Sequence, residues 1–132
     1  MSKPNILFMH SHNTGQFVQP YGHAVPTPNL QKLAEEGVLF RRAFAAAPTC
    51  SPSRAAFLTG MYPSNLAAHR NGARAPAAAV EERLITRKLA AAGYDCGLAG
   101  KLHLAGAFEG PETRCDDGYR YYQWTHWPAA EQ

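Results

Sequence analysis

The residues with the clearest chemical potential are Cys50, Arg54, Lys101 and His103. They lie in two short stretches, Pro48-Thr49-Cys50-Ser51-Pro52-Ser53-Arg54 running to Leu58-Thr59-Gly60, and Gly100-Lys101-Leu102-His103-Leu104. In the first, Ser51 suits a helix cap, Pro52 the first turn and Gly60 the stop. This pattern predicts a short helix with Cys50 at its positive end, where backbone N–H groups favour an anion. Arg54, one turn in, adds a forked donor set that fits a tetrahedral oxyanion. A nucleophile precursor, a helix N-terminus and an arginine together outline a site for anion chemistry. The bland alternative is a buried cysteine ahead of an ordinary capped helix.

In the second stretch Lys101 and His103 stand two apart. On extended backbone they face the same way, a fixed cation beside a proton-transfer group. Taken alone, a Lys-x-His is weak evidence and commonly a surface feature. A third cluster, His10-Ser11-His12-Asn13-Thr14-Gly15, follows an apolar run. It reads either as a strand-to-loop turn or as a metal loop with His12 and Asn13 as nitrogen and oxygen donors.

The elements that must position these groups follow from local pattern. Ile6–Met9 is a continuous apolar run and predicts a buried, parallel strand. Thr27-Pro28-Asn29-Leu30 predicts a helix capped by Thr27 and ended by Gly37, with Leu30, Leu33 and Ala34 on one face. Val38–Phe40 reads as a short extended segment. Residues 65–79 read as an irregular loop in which His69 and Arg70 face solvent. Glu81–Ala92 is the clearest helix, with Leu84, Ile85, Lys88 and Leu89 as its stripe and Gly93 as its stop. Cys96–Ala99 is a candidate strand ending at Lys101. Asp116-Asp117-Gly118-Tyr119 reads as a turn, and Tyr119, Tyr121, Tyr122, Trp124 and Trp127 as core. Helix, glycine, then strand points to the α/β class, whose sites gather at strand carboxyl ends.

Composition narrows the function classes. The 132 residues suffice for one modest domain, 45% apolar with a net charge of +3. The basic residues are scattered, which argues against a nucleic-acid partner. No apolar run approaches membrane-spanning length. Ile6–Met9 is too short for a signal peptide and lacks a cleavage site, so the expected location is cytoplasmic. Three cysteines, Cys50, Cys96 and Cys115, form no Cys-x-x-Cys pair, and a Cys96–Cys115 bridge is open.

The Cys50-x-Pro52-Ser53-Arg54 string with Leu58-Thr59-Gly60 resembles the signature of the type I sulfatase family. Gly100-Lys101-Leu102-His103-Leu104 resembles a second segment of that family, and Pro4-Asn5-Ile6-Leu7-Phe8 its opening strand. The resemblance implies an N-terminal portion, residues 1–132, of an alkaline-phosphatase-like α/β/α sandwich with a mostly parallel sheet. It implies that Cys50 is oxidised to formylglycine by a formylglycine-generating enzyme, and that the product cleaves sulfate esters or N-sulfates. Arg54 would polarise the nucleophile, Lys101 would hold sulfate oxygens and His103 would help expel sulfate. It further implies a divalent cation, calcium in most members, at His12, Asn13 and the group derived from Cys50. At the first two positions the family carries adjacent carboxylates. Asn13 still offers an oxygen, but His12 offers nitrogen, and the lost charge should weaken a calcium site. The substrate would be a sulfated small molecule or carbohydrate, and the missing C-terminal part of the sulfatase would be a partner. A related phosphonate or phosphate monoester hydrolase, and a non-catalytic remnant or binding module, are the alternatives.

Overall fold

The fold is taken from a computed structural model that describes residues 3–66, 80–104 and 116–125. The chain divides into two compact units, residues 1–43 and 44–132. Residues 65–79 fall mostly outside the described residues, His69 and Arg70 included, and so do Cys115 and Trp127.

The first unit is built from a single turn of 3-10 helix at Gln19–Tyr21 and helix α1 at Pro28–Glu36. Thr27 is the N-cap and Pro28 the first helical residue, as the sequence predicts. Thr27 does not use its hydroxyl to cap the helix. Its Oγ1 accepts from the Gln19 N–H at 3.0 Å, and its own N–H donates to Gln19 Oε1 at 3.2 Å. Tyr21 donates its hydroxyl to the Phe40 carbonyl at 3.0 Å. These bonds staple the loop to the helix start and to the segment that follows the helix.

One expectation for this unit is overturned. Ile6–Met9 is neither buried nor a strand: it lies outside any helix or strand with all four side chains exposed, Leu7 by 81%. Val38–Phe40 also lies outside any helix or strand, with Val38 and Phe40 exposed and the Phe40 carbonyl held by the Tyr21 hydroxyl. A strand exists only through hydrogen bonds to a neighbouring strand, and the described residues give these runs no neighbouring strand. Leu30 and Leu33 share the predicted face of α1, but that face is also exposed. Val18 is the buried apolar side chain of the unit.

The second unit has a real core. Helix α2 spans Cys50–Thr59, a 3-10 turn spans Pro63–Leu66, helix α3 spans Ile85–Ala91, strand β1 spans Gly97–Gly100 and strand β2 spans Tyr121–Trp124. Ala55 and Leu58 of α2 meet Leu66, Val80, Leu84 and Leu102, with Met61, Leu98, Leu104, Tyr119 and Tyr122 packed around them. Fully burying one leucine contributes about 1.5–3 kcal/mol, so this cluster outweighs the isolated hydrogen bonds of the first unit.

Helix α3 is shorter than expected. It begins at Ile85 rather than Glu81, because Leu84 adopts φ −58°, ψ 125° and stands outside the helix as its N-cap. The inward residues are therefore Leu84, 1% exposed, and Thr86; Ile85 and Lys88 are exposed, contrary to the predicted stripe. The predicted stop holds. Gly93, at φ 82°, donates to the Ala90 carbonyl at 2.8 Å, and the Tyr94 N–H reaches the Leu89 carbonyl at 3.0 Å. These two bonds satisfy carbonyls that the last helical turn leaves open.

Strands β1 and β2 pair in parallel, with Gly97 opposite Tyr121 and Gly100 opposite Trp124. The Thr125 N–H donates to the Gly100 carbonyl at 2.9 Å and extends the ladder beyond its last pair. At the entrance Arg120 Nε donates to Asp95 Oδ1 at 2.6 Å. This bond holds the Asp95 carboxyl below its ordinary pKa. Strand β1 matches the predicted one to within a residue. Strand β2 was not predicted, although its aromatic residues favour strands. Helices with a parallel strand pair give the α/β class the sequence predicts.

Candidate active site

The site begins where α2 begins. Thr49, extended at φ −110° and ψ 153°, is the N-cap, and Cys50 is the first helical residue. The cap therefore lies two residues earlier than the expected Ser51, which is instead buried inside the first turn. Cys50 still sits at the positive end of the helix dipole, as the sequence reading requires. Its side chain is half-buried and in no disulfide. Cys96 has its Sγ 3.6 Å from the Thr86 carbonyl oxygen, and Cys115, the other half of the open bridge, lies outside the described residues.

The helix end is closed with similar economy. Thr59 Oγ1 donates to the Ala55 carbonyl at 2.6 Å and accepts from the Met61 N–H at 3.3 Å. Gly60 follows at φ 70°, its N–H on the Ala56 carbonyl at 2.9 Å. Thr59 and Gly60 are thus mechanical residues that terminate α2.

The second stretch leaves the sheet at the carboxyl end of β1. Lys101 is half-buried, while Leu102 and His103 are buried at 3% and 2% exposure. His103 has φ 55°, in the left-handed region. The backbone is therefore not extended through this segment, and the expectation that Lys101 and His103 face the same way does not hold. Lys101 keeps access to the surface while His103 turns into the interior. Leu102 and Ala55 belong to one core cluster, so packing brings the two stretches together. A polar tie reinforces it: Arg54 Nη1 donates to the Lys101 carbonyl oxygen.

Two further residues brace this region, and sequence reasoning missed both roles. Asp117 is buried at 1% exposure; its Oδ1 accepts from the Tyr119 N–H at 3.0 Å, closing the predicted turn. Its carbonyl accepts from Thr86 Oγ1 on the first turn of α3. Arg87 Nη2 pairs with Asp116 Oδ2 at 3.1 Å alongside. A buried Asp ahead of a Gly marked a turn, but nothing in the sequence names α3 as its partner.

His12 and Asn13 lie in the first unit, exposed and outside any helix or strand, with Asn13 at φ 63°. Cys50, the third residue of the expected metal set, lies in the second unit. Among the described residues no group of three or more His, Cys, Asp or Glu side chains is placed to hold a metal ion. One imidazole and one amide do not fit calcium, a hard cation that takes about six to eight oxygen ligands.

Comparison with known proteins sets these observations in a family. Residues 4–128 match the Sulfatase family. An ulvan-active sulfatase of Formosa agariphila is 34% identical over 92% of this chain and 22% of its own length. The steryl-sulfatase of Mus musculus is 39% identical over 89% of this chain and 20% of its own length. Arylsulfatase A of Bos taurus is 37% identical over 83% of this chain and 22% of its own length. The chain thus spans only about a fifth of the curated relatives it matches. The match runs through both the Cys50–Gly60 helix and the Lys101–His103 turn, and the chain belongs to the sulfatase family, in the alkaline-phosphatase-like α/β class.

Proposed function

We propose that this chain carries the nucleophile-bearing part of a sulfuric ester hydrolase acting on a sulfated small molecule or carbohydrate. The observation that supports this most directly is the Arg54–Lys101 tie, which joins the cysteine helix to the Lys-x-His turn over one core. Sulfatases generally use calcium and formylglycine, and Cys50 fits the second requirement as a half-buried cysteine at a helix start. If oxidised by a formylglycine-generating enzyme, position 50 would supply a hydrated aldehyde, one hydroxyl of which would bond to the ester sulfur as the sulfur–oxygen bond breaks and the alcohol leaves with a proton. The helix start and Arg54 place positive charge beside that position, which favours the charge that develops on oxygen. Lys101, which keeps access to the surface, holds sulfate oxygens, whereas the inward turn of His103 must open before its imidazole can move a proton as sulfate leaves. No step is assigned to calcium, because the donor set of His12 and Asn13 does not fit it.

One observation favours a non-catalytic binding role instead, namely the lack of a carboxylate at His12 and Asn13. A mass spectrum of the tryptic peptide Ala43–Arg54 from the native host separates the two. An aldehyde at position 50 supports the hydrolase. An unmodified thiol in a host that modifies its other sulfatases overturns it. In any active form, Cys50→Ala should abolish turnover of sulfate esters, and retained turnover would refute the covalent route. A higher rate on phosphonates than on sulfate esters would point to the related hydrolase.

A further inference from the structure

Arg54 does more than place charge near Cys50. Its Nη1 donates to the main-chain oxygen of Lys101, 47 residues away, and that residue is the first beyond β1. Immediately afterwards Leu102 goes into the core and His103 takes up φ 55°. A non-glycine residue in the left-handed region costs free energy and persists only where its surroundings hold it. Two anchors are on hand. Leu102 packs in the cluster of Ala55 and Leu58, and the guanidinium grips the carbonyl one residue before it. The grip comes from the same helix that presents Cys50, so both stretches share one frame of reference.

We infer that Arg54 is a positioning residue that fixes the Lys101–His103 turn through the Lys101 main chain, beyond any direct effect of its charge on the nucleophile. The planar guanidinium is suited to this role because it presents donors in a rigid fork. A lysine ammonium is a flexible point charge and cannot hold the same carbonyl at the same angle. The catalytic consequence rests on the proposed hydrolase reading; the positioning itself does not.

The test is nuclear magnetic resonance of the isotope-labelled full chain in its thiol form. In the wild-type protein the Arg54 guanidinium protons should show cross-relaxation to the Lys101 Hα and the Leu102 amide proton. In Arg54→Lys the Leu102 and His103 amide signals should move, while those of Thr86 and Leu89 in α3 stay in place. A role as local charge alone predicts that Arg54→Lys leaves Leu102 and His103 unmoved, and that result would overturn the inference. Absence of cross-relaxation in the wild-type chain would overturn it as well, even if the variant failed to fold. Neither readout depends on turnover, so an unmodified thiol at position 50 in the native host would overturn the hydrolase reading and leave the positioning role standing.

Discussion

The close approach of Gly118 to helix α3 offers the sharpest test of how the site is braced. A Cβ added at Gly118 would lie 2.7 Å from the Arg87 nitrogen, 2.8 Å from the Arg87 Cα and 2.8 Å from the Thr86 carbonyl carbon. All three are backbone atoms, so no side chain can swing aside. Gly118 also has φ 79°, in the left-handed region. Gly118→Ala therefore carries two costs, about 1–2 kcal/mol for the backbone conformation and about 1–3 kcal/mol for forcing the turn off α3. Gly60→Ala is the control, because Gly60 has φ 70° with nothing within 4 Å of the added Cβ. It carries the first cost alone. Urea unfolding of the full chain, followed by circular dichroism, measures both. The expected result is that Gly118→Ala loses more stability than Gly60→Ala by about 1–3 kcal/mol, a large share of a small domain's total. Equal losses would refute the packing of the turn against Thr86 and Arg87.

The same brace predicts that Thr86→Val, which strips the donor from the buried Asp117 carbonyl, costs about 1–3 kcal/mol in urea unfolding; a neutral variant would show that the carbonyl is satisfied elsewhere. Burial, and then the neighbouring Asp117 charge, raise the Tyr119 phenol above its ordinary pKa. The unfolded chain then gives up that proton first, so the contribution is complete below about pH 10 and is lost as pH climbs through the folded value. Tyr119→Phe should flatten this alkaline fall in a pH series of melts, and an unchanged slope would contradict the assignment. Finally, His12→Asp with Asn13→Asp should bring calcium binding detectable by calorimetry, since carboxylates supply the hard oxygens the natural pair lacks. Identical heats for both proteins would mean that these positions do not face a cation.

Much of the site was legible because helices write their bonds locally. Each helical N–H reaches a carbonyl about four residues back, so Thr27-Pro28, Gly60 and Gly93 mark helix limits within a few residues of the bonds they control. The same locality placed Cys50 at a helix start and Lys101 just beyond a strand. The errors inside helices were of one kind. Backbone conformation put the cap of α2 two residues before Ser51, and the start of α3 four residues after Glu81, just beyond Leu84.

Where partners lie far apart in the chain, the sequence was silent. Ile6–Met9 has strand composition, yet it forms no strand and is exposed, because composition supplies no neighbouring strand. Strand β2 escaped notice although its partner β1 was found, since register is a property of two segments and not of one. His103 gave no sign of its left-handed backbone. Sequence by itself determined the family, the nucleophile candidate and the helix that presents it, for those depend on residue types at short spacing. Tertiary structure alone decided that Arg54 grips Lys101, that His103 turns inward, and that Asp117 ties the turn before β2 to α3. Those facts depend on which remote segments a shared core brings within reach of a hydrogen bond.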